Sequence, residues 1–171
     1  MSTDIARLIA GGILGLISCY IGLLVKRHYA ARERFYRDAE AFAAFLGSEV
    51  GLHKTPLPEL IDNFAEGRKG EFAERMRVFG SRLAGGAGRE RAAHETAEET
   101  TGLRREEKKE FAAFLRSLGG AEFRTQLEEA ARAEKMFAEK RAVTAEQSVR
   151  LGGMWFKLAV LVGIALIVLL A

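Results

Sequence analysis

From Leu8 to Val25 the chain reads LIAGGILGLISCYIGLLV without a charge, and from Leu151 to its end it reads LGGMWFKLAVLVGIALIVLLA with Lys157 as the single exception. Either run is long enough to cross a hydrocarbon core of about 30 Å at about 1.5 Å per helical residue. The pattern predicts two transmembrane helices, over residues 5–25 and 151–171. The long stem of Lys157 reaches back to the interface beside Trp155. A cleaved signal peptide is the competing reading of the first run. It is disfavoured because Arg7 is offset by Asp4 and no small-x-small cleavage site precedes a polar start.

Between the spans, residues 26–150 predict helices only, because apolar residues recur at steps of three and four and do not alternate. The first span is expected to continue as one helix to about Ser48, with Phe35, Ala39, Phe42 and Leu46 in one stripe. A second helix carries Leu57, Leu60, Ile61 and Phe64 inward and ends near Gly67. A third, between Gly70 and Gly85, carries Phe72, Met76, Phe79 and Leu83. A fourth, about Arg89 to Thr100, has only alanines to bury. The fifth, about Leu103 to Leu118, buries Phe111, Phe114, Leu115 and Leu118 and stops at Gly119 and Gly120. A sixth runs from Ala121 through Phe123, Leu127 and Ala130 into the second span, with Gly152 and Gly153 as a kink point at the membrane surface. The expected fold is all-α: a compact antiparallel bundle of about six helices whose first and last members extend into transmembrane segments.

Charge alters this picture in one respect. Lys26, Arg27, Arg32, Arg34 and Arg37 follow the first span and Lys140, Arg141, Arg150 and Lys157 flank the second, whereas the outer side has Arg7. The positive-inside tendency therefore puts the bundle in the cytoplasm and both termini outside. The sequence pI of 9.2 reflects a basic excess spread along the chain, which argues against a nucleic-acid partner, since such a partner needs cations gathered on one face. The single cysteine, Cys19, excludes an intrachain disulfide.

The stretch GLHKTPLPEL, Gly51 to Leu60, holds both prolines of the chain and His53. Thr55 suits an N-cap, Pro56 the first helical position and Pro58 the third, Glu59 sits at the positive end of the helix dipole, and Gly51 ends the helix before. The stretch thus predicts a corner between two helices. Capping gives no reason for a histidine at position 53.

Catalytic patterns are missing. HETAEE at His94 lacks the second histidine of HExxH, GGAGRE lacks the lysine and hydroxyl residue of a P-loop, and His28, His53 and His94 have no second histidine at a ligand offset. The acidic clusters at Glu71 and at Glu106 to Glu110 are mixed with bases at helical offsets and read as a solvated or partner-binding face. No catalytic, cofactor-binding or metal site and no small-molecule substrate is expected. Gly11 and Gly15 form GxxxG, a spacing that lets membrane helices approach closely. The partner is either the second span, through Gly163, or another protein.

HKTPLPEL after a long membrane-proximal helix, SLGGAEFRTQ at Ser117 to Gln126 and the terminal LGGMWFKLAVLVGIALIVLL together resemble the stage III sporulation protein AB family of endospore-forming bacteria. By position, His53, Thr55, Pro56, Leu57, Pro58 and Glu59 match one family element, and Leu118, Gly119 and Gln126 match a second, with Glu122 where aspartate is usual. His94 stands where an aromatic residue is expected, which would leave the fourth helix a partner surface. The resemblance implies a non-enzymatic membrane component of the channel assembly between mother cell and forespore, in the mother-cell membrane facing the forespore. It also implies a soluble domain similar to the cytoplasmic modules of the type II secretion inner-membrane platform protein. Its expected partners are the sporulation ATPase and other membrane proteins of the complex. The alternative reading is a membrane-tethered helical scaffold or signalling protein unrelated to secretion.

Overall fold

The computed structural model of the chain describes residues 2–52, 56–119 and 123–170. Among these every regular element is helical. In chain order they are α1 (Ser2–Leu52), α2 (Leu57–Ala65), α3 (Glu71–Ala84), α4 (Arg89–Glu98), α5 (Arg105–Ser117) and α6 (Phe123–Gln147), then a π-helical turn (Ser148–Gly152) and α7 (Gly153–Leu170). The chain divides into two compact units, residues 34–141 and residues 1–33 with 142–171.

The unit of residues 34–141 is organised by phenylalanines. Phe35 and Phe42 of α1, Phe72 of α3, and Phe111 and Phe114 of α5 are all buried. The Phe35 ring stands edge-on to Phe72 at 5.3 Å and to Phe111 at 5.2 Å, Phe42 meets Phe64 of α2 at 5.0 Å, and Phe114 meets Phe137 of α6 at 5.0 Å. These T-shaped contacts place the positive ring edge on the negative face, which adds to the burial of a large apolar surface. The stripe expected on α1 is buried throughout, as are Leu60, Ile61 and Phe64, and Phe72, Met76 and Phe79; Leu57 and Leu83 are partly buried against the same core.

Short loops hold the helices in place. The α2–α3 turn uses Gly67 at φ 68° and Gly70 at φ 143°, and Arg77 of α3 donates to the carbonyls of Ala65 and Arg68. At the α4–α5 loop, Glu71 accepts from the Thr101 amide, from Thr101 Oγ1 at 2.8 Å and from the Gly102 amide at 3.2 Å. A Cβ on residue 102 would lie 2.7 Å from Glu71 Oε2, so a side chain there would require the carboxylate to shift. Glu71 is thus a loop anchor and not part of a solvated face.

Several expectations shift. α1 runs to Leu52, beyond both Ser48 and Gly51, since one glycine costs a helix only about 1 kcal/mol. Pro56, at φ −57° and ψ 140°, takes the N-cap of α2 and Pro58 falls within the first turn, one residue out of the expected register; the expected cap, Thr55, lies outside the described residues. On α6 the buried stripe is Ala130, Ala133 and Phe137, and Leu127 is 42% exposed. The interruption before the last helix takes the form of a π turn over five residues ending at Gly152.

In the other unit α1 and α7 run antiparallel at close approach. A Cβ on Gly163 would lie 3.3 Å from the Gly15 Cα, one on Gly22 2.7 Å from the Ala159 Cβ, and one on Gly152 3.6 Å from the Lys26 Cα. Ser18 Oγ donates to the Ala159 carbonyl at 2.7 Å, and Arg32, only 4% exposed, donates to Gln147 Oε1 at 3.4 Å. Where two were expected, one helix among the described residues, Thr125–Ala165, is long and apolar enough to cross a membrane by length and composition. Side chains before Gly12 lie outside the described residues.

Replacing Phe72 with alanine removes the ring shared by α1, α2 and α5. The expected loss is about 3–5 kcal/mol, measured by urea unfolding of the full chain in detergent followed by far-UV circular dichroism.

Candidate functional site

The two sequence elements singled out above, far apart along the chain, meet at one corner of the 34–141 unit. The sequence dictates the local shape of each. Pro56 cannot adopt the helical interior and leaves its carbonyl to accept from the Leu60 amide at 3.0 Å, which starts α2. At the other element α5 stops after Ser117, Leu118 is extended and buried, and Gly119 takes φ 72°, a left-handed conformation that is costly for any residue with a Cβ.

Tertiary packing joins them. A Cβ on Gly119 would lie 3.2 Å from Leu57 Cδ2, so the motif leucine of α2 rests directly on the backbone that ends α5. Arg89, the first residue of α4, donates to the Gly119 carbonyl at 2.9 Å. This cation at a helix C-terminal end satisfies a carbonyl left without an intrahelical partner and opposes the partial negative charge there. Gln126 of α6, half-buried, joins Leu46, Leu118 and Gly119 around a cavity of about 10 Å³. That is the lower limit for one water molecule, so the interior of the corner has no space for an organic substrate.

Of the residues expected to form a site, Pro56, Leu57, Pro58, Glu59, Leu118, Gly119 and Gln126 are described, with Glu59 exposed. His53, Thr55 and Glu122 lie outside the described residues. Gly15 is buried against Gly163 in the other unit; the surroundings of Gly11 lie outside what is described. The sequence reading missed Arg89. A cation next to a glycine cluster is ordinary, and the carbonyl it reaches lies thirty residues further on.

The adjacent α4 turns small residues inward. Ala92, Ala93, Thr96 and Ala97 are buried, and Arg82 of α3 donates to Thr96 Oγ1 at 2.9 Å. Outside is a band of ion pairs: Glu90 with Arg116 at 2.7 Å, Glu99 with Arg82 at 2.6 Å and with Arg75 at 3.1 Å. Arg91 donates to Glu95 at 2.7 Å, and this hydrogen bond holds the Glu95 carboxyl below the usual carboxylate range. His94 is exposed within this band. Among the described residues no group of His, Cys, Asp and Glu could hold a metal ion. The one hydroxyl lining the corner cavity, Ser117 Oγ, donates to the Phe114 carbonyl at 2.9 Å. What the described groups offer is a stiff corner with a charged exterior.

The family model described as stage III sporulation protein AB matches residues 7–171. No curated protein and no solved structure matches the chain.

A Gly119→Ala substitution must place a side chain at φ 72° and against Leu57. The left-handed conformation alone costs roughly 1–2 kcal/mol. A matching loss of unfolding free energy is expected, and Ser117→Ala, measured alongside, should change it by less.

Proposed function

Because the chain belongs to the stage III sporulation protein AB family, whose name makes it a sporulation protein, we propose that it is a non-enzymatic membrane platform in the channel assembly between mother cell and forespore. In this reading both apolar segments span the mother-cell membrane facing the forespore, the helical bundle lies in the cytoplasm, and the bundle receives the sporulation ATPase and other membrane proteins of the complex. The resemblance to the type II secretion inner-membrane platform protein belongs to the same reading.

The observation that carries it is the exterior of α1 and α7. Ile13, Leu16, Ile17, Tyr20, Ile21 and Leu24 on α1 are exposed, as are Leu158, Leu161, Val162, Ile164 and Val168 on α7. Leu16 is 74% and Val168 72% exposed. Large apolar side chains on all outward faces of paired helices are unfavourable in water and suit hydrocarbon. Small residues where the helices touch, Gly15, Gly22, Ala159 and Gly163, fit the same setting, since close backbone approach replaces the hydrophobic effect as the source of association in lipid. Lys26 and Arg27, both exposed, end the first apolar run, which supports a cytoplasmic bundle.

Single cysteines at Glu59 and at His94, each exposed, in a Cys19→Ser background, test the topology. A membrane-impermeant maleimide is expected to label them only after the mother-cell membrane is opened. Labelling of intact mother cells would overturn the cytoplasmic assignment. Tagged full chain solubilised from sporulating cells is expected to bring down an ATPase, with recovery lowered by Glu59→Arg while unfolding stability stays within about 0.5 kcal/mol. Recovery of the chain alone would count against the platform role.

A further inference from the structure

Within the 34–141 unit a groove of about 280 Å³ runs between α5 and α6. Glu110 pairs with Lys140 at 2.5 Å and Phe114 meets Phe137 at 5.0 Å, so the two helices run antiparallel. Each wall is a stripe at helical spacing: Glu110, Ala113, Phe114 and Ser117 on α5, and Glu129, Arg132, Ala133 and Met136 on α6. Phe114 and Ala133 are buried, Met136 is half-buried, and Ala113 is exposed. From Glu110 to Ser117 the groove follows α5 for about 10 Å at about 1.5 Å per residue. Its surface is mostly apolar, and the hydroxyl of Ser117 is turned to its own helix, donating to the Phe114 carbonyl at 2.9 Å. The charges of the rim differ in what they meet. Glu110 is neutralised by Lys140, and Arg132 lies 3.8 Å from Glu128 of its own helix. Glu129 is half-buried and, among the described residues, forms no ion pair.

We propose that this groove is the docking site of an amphipathic helix from a partner protein, which sets a large apolar side chain between Ala113 and Ala133 and a lysine or arginine beside it on Glu129. The inference rests on the groove alone and stands whether or not the chain serves a sporulation channel. Three features select that occupant. A helix satisfies its own main chain, so it can lie on an apolar surface that has no bonding edge to offer, whereas an extended strand leaves its amides and carbonyls without partners. Small residues on both walls, Ala113 and Ala133, leave depth for a bulky side chain, and the flexible Met136 adapts to its shape. The third feature is charge. Covering the groove takes water from the Glu129 carboxylate, which is unfavourable unless the covering surface brings a cation.

The full chain in phosphatidylcholine nanodiscs is titrated with fluorescein-labelled stapled helical peptides, and binding to empty nanodiscs is subtracted. One peptide carries leucines on one face flanked by lysines, a second has glutamates for the lysines, and a third has serines for the leucines. The leucine–lysine peptide is expected to bind roughly fivefold tighter than its glutamate counterpart and to displace the serine peptide. Glu129→Gln should bring the lysine and glutamate peptides within about twofold of each other. Ala113→Phe, which fills the groove and leaves the rim charges in place, should weaken the leucine–lysine peptide by roughly tenfold. Far-UV circular dichroism checks that each variant is folded, and the Glu129→Gln result carries the test if Ala113→Phe is not. Equal affinity for the lysine and glutamate peptides would overturn a basic partner. Affinity unchanged by Ala113→Phe in a folded chain would overturn the groove as the site, and so would no binding above empty nanodiscs. Crosslinking of two copies through Ala113→Cys in a Cys19→Ser background, undiminished by excess leucine–lysine peptide, would assign the groove to a second copy and overturn the proposal.

Discussion

The edge-to-face contact of Phe35 with both Phe72 and Phe111 is the interaction on which the 34–141 unit depends. α1, α3 and α5 each contribute a ring to it, and α2 and α6 attach through Phe42–Phe64 and Phe114–Phe137. α4 brings no large apolar side chain and is held differently, by alanines that permit close approach and by Arg82 and Arg89, which reach across to Thr96 and Gly119. A unit of this size has one core, and here that core is a network of aromatic rings whose geometry is directional. Helix positions are therefore specified more narrowly than aliphatic packing alone would require.

The unit formed by the chain ends solves the opposite problem. Its outer surfaces are apolar and its contact line is made of glycine, alanine and serine, so its helices associate through backbone proximity and a hydroxyl-to-carbonyl bond. Burial from water contributes little to such a contact if the surroundings are hydrocarbon. The buried Arg32 with Gln147 and the π turn at Ser148–Gly152 occur where the apolar stretch of α7 gives way to the charged stretch of α6. A π turn inserts extra backbone into a helix and rotates the side chains that follow, which lets Gly152 seat against Lys26 while α7 keeps its small-residue face toward α1.

Much of this was legible in the order of residues. The core stripes on α1, α2, α3 and α5 follow from apolar spacing, and the glycine-marked ends of α3 and α5 fall where expected. α6 was read less well because alanine is weakly informative: Ala130 is buried as expected, but Leu127, with the stronger hydropathy, is exposed, and Ala133 is buried in its place in the stripe. The cap of α2 falls one residue later than expected, at Pro56, whose fixed φ of −57° with ψ 140° leads into the helix without a side-chain cap.

By itself the sequence determined the all-helical class, the apolar terminal runs, the family membership and the presence of a proline corner, because these depend on residue type and on spacing within a few turns. Only the tertiary structure decided that Leu57 rests on Gly119, that Arg89 closes the end of α5, that Glu71 anchors a distant loop and that Gly15 faces Gly163. Each of these contacts joins residues separated by at least thirty positions. Which of many similar charges or glycines becomes a partner at that distance is settled by the packing of the phenylalanine core and of the paired helices, and no local pattern records it.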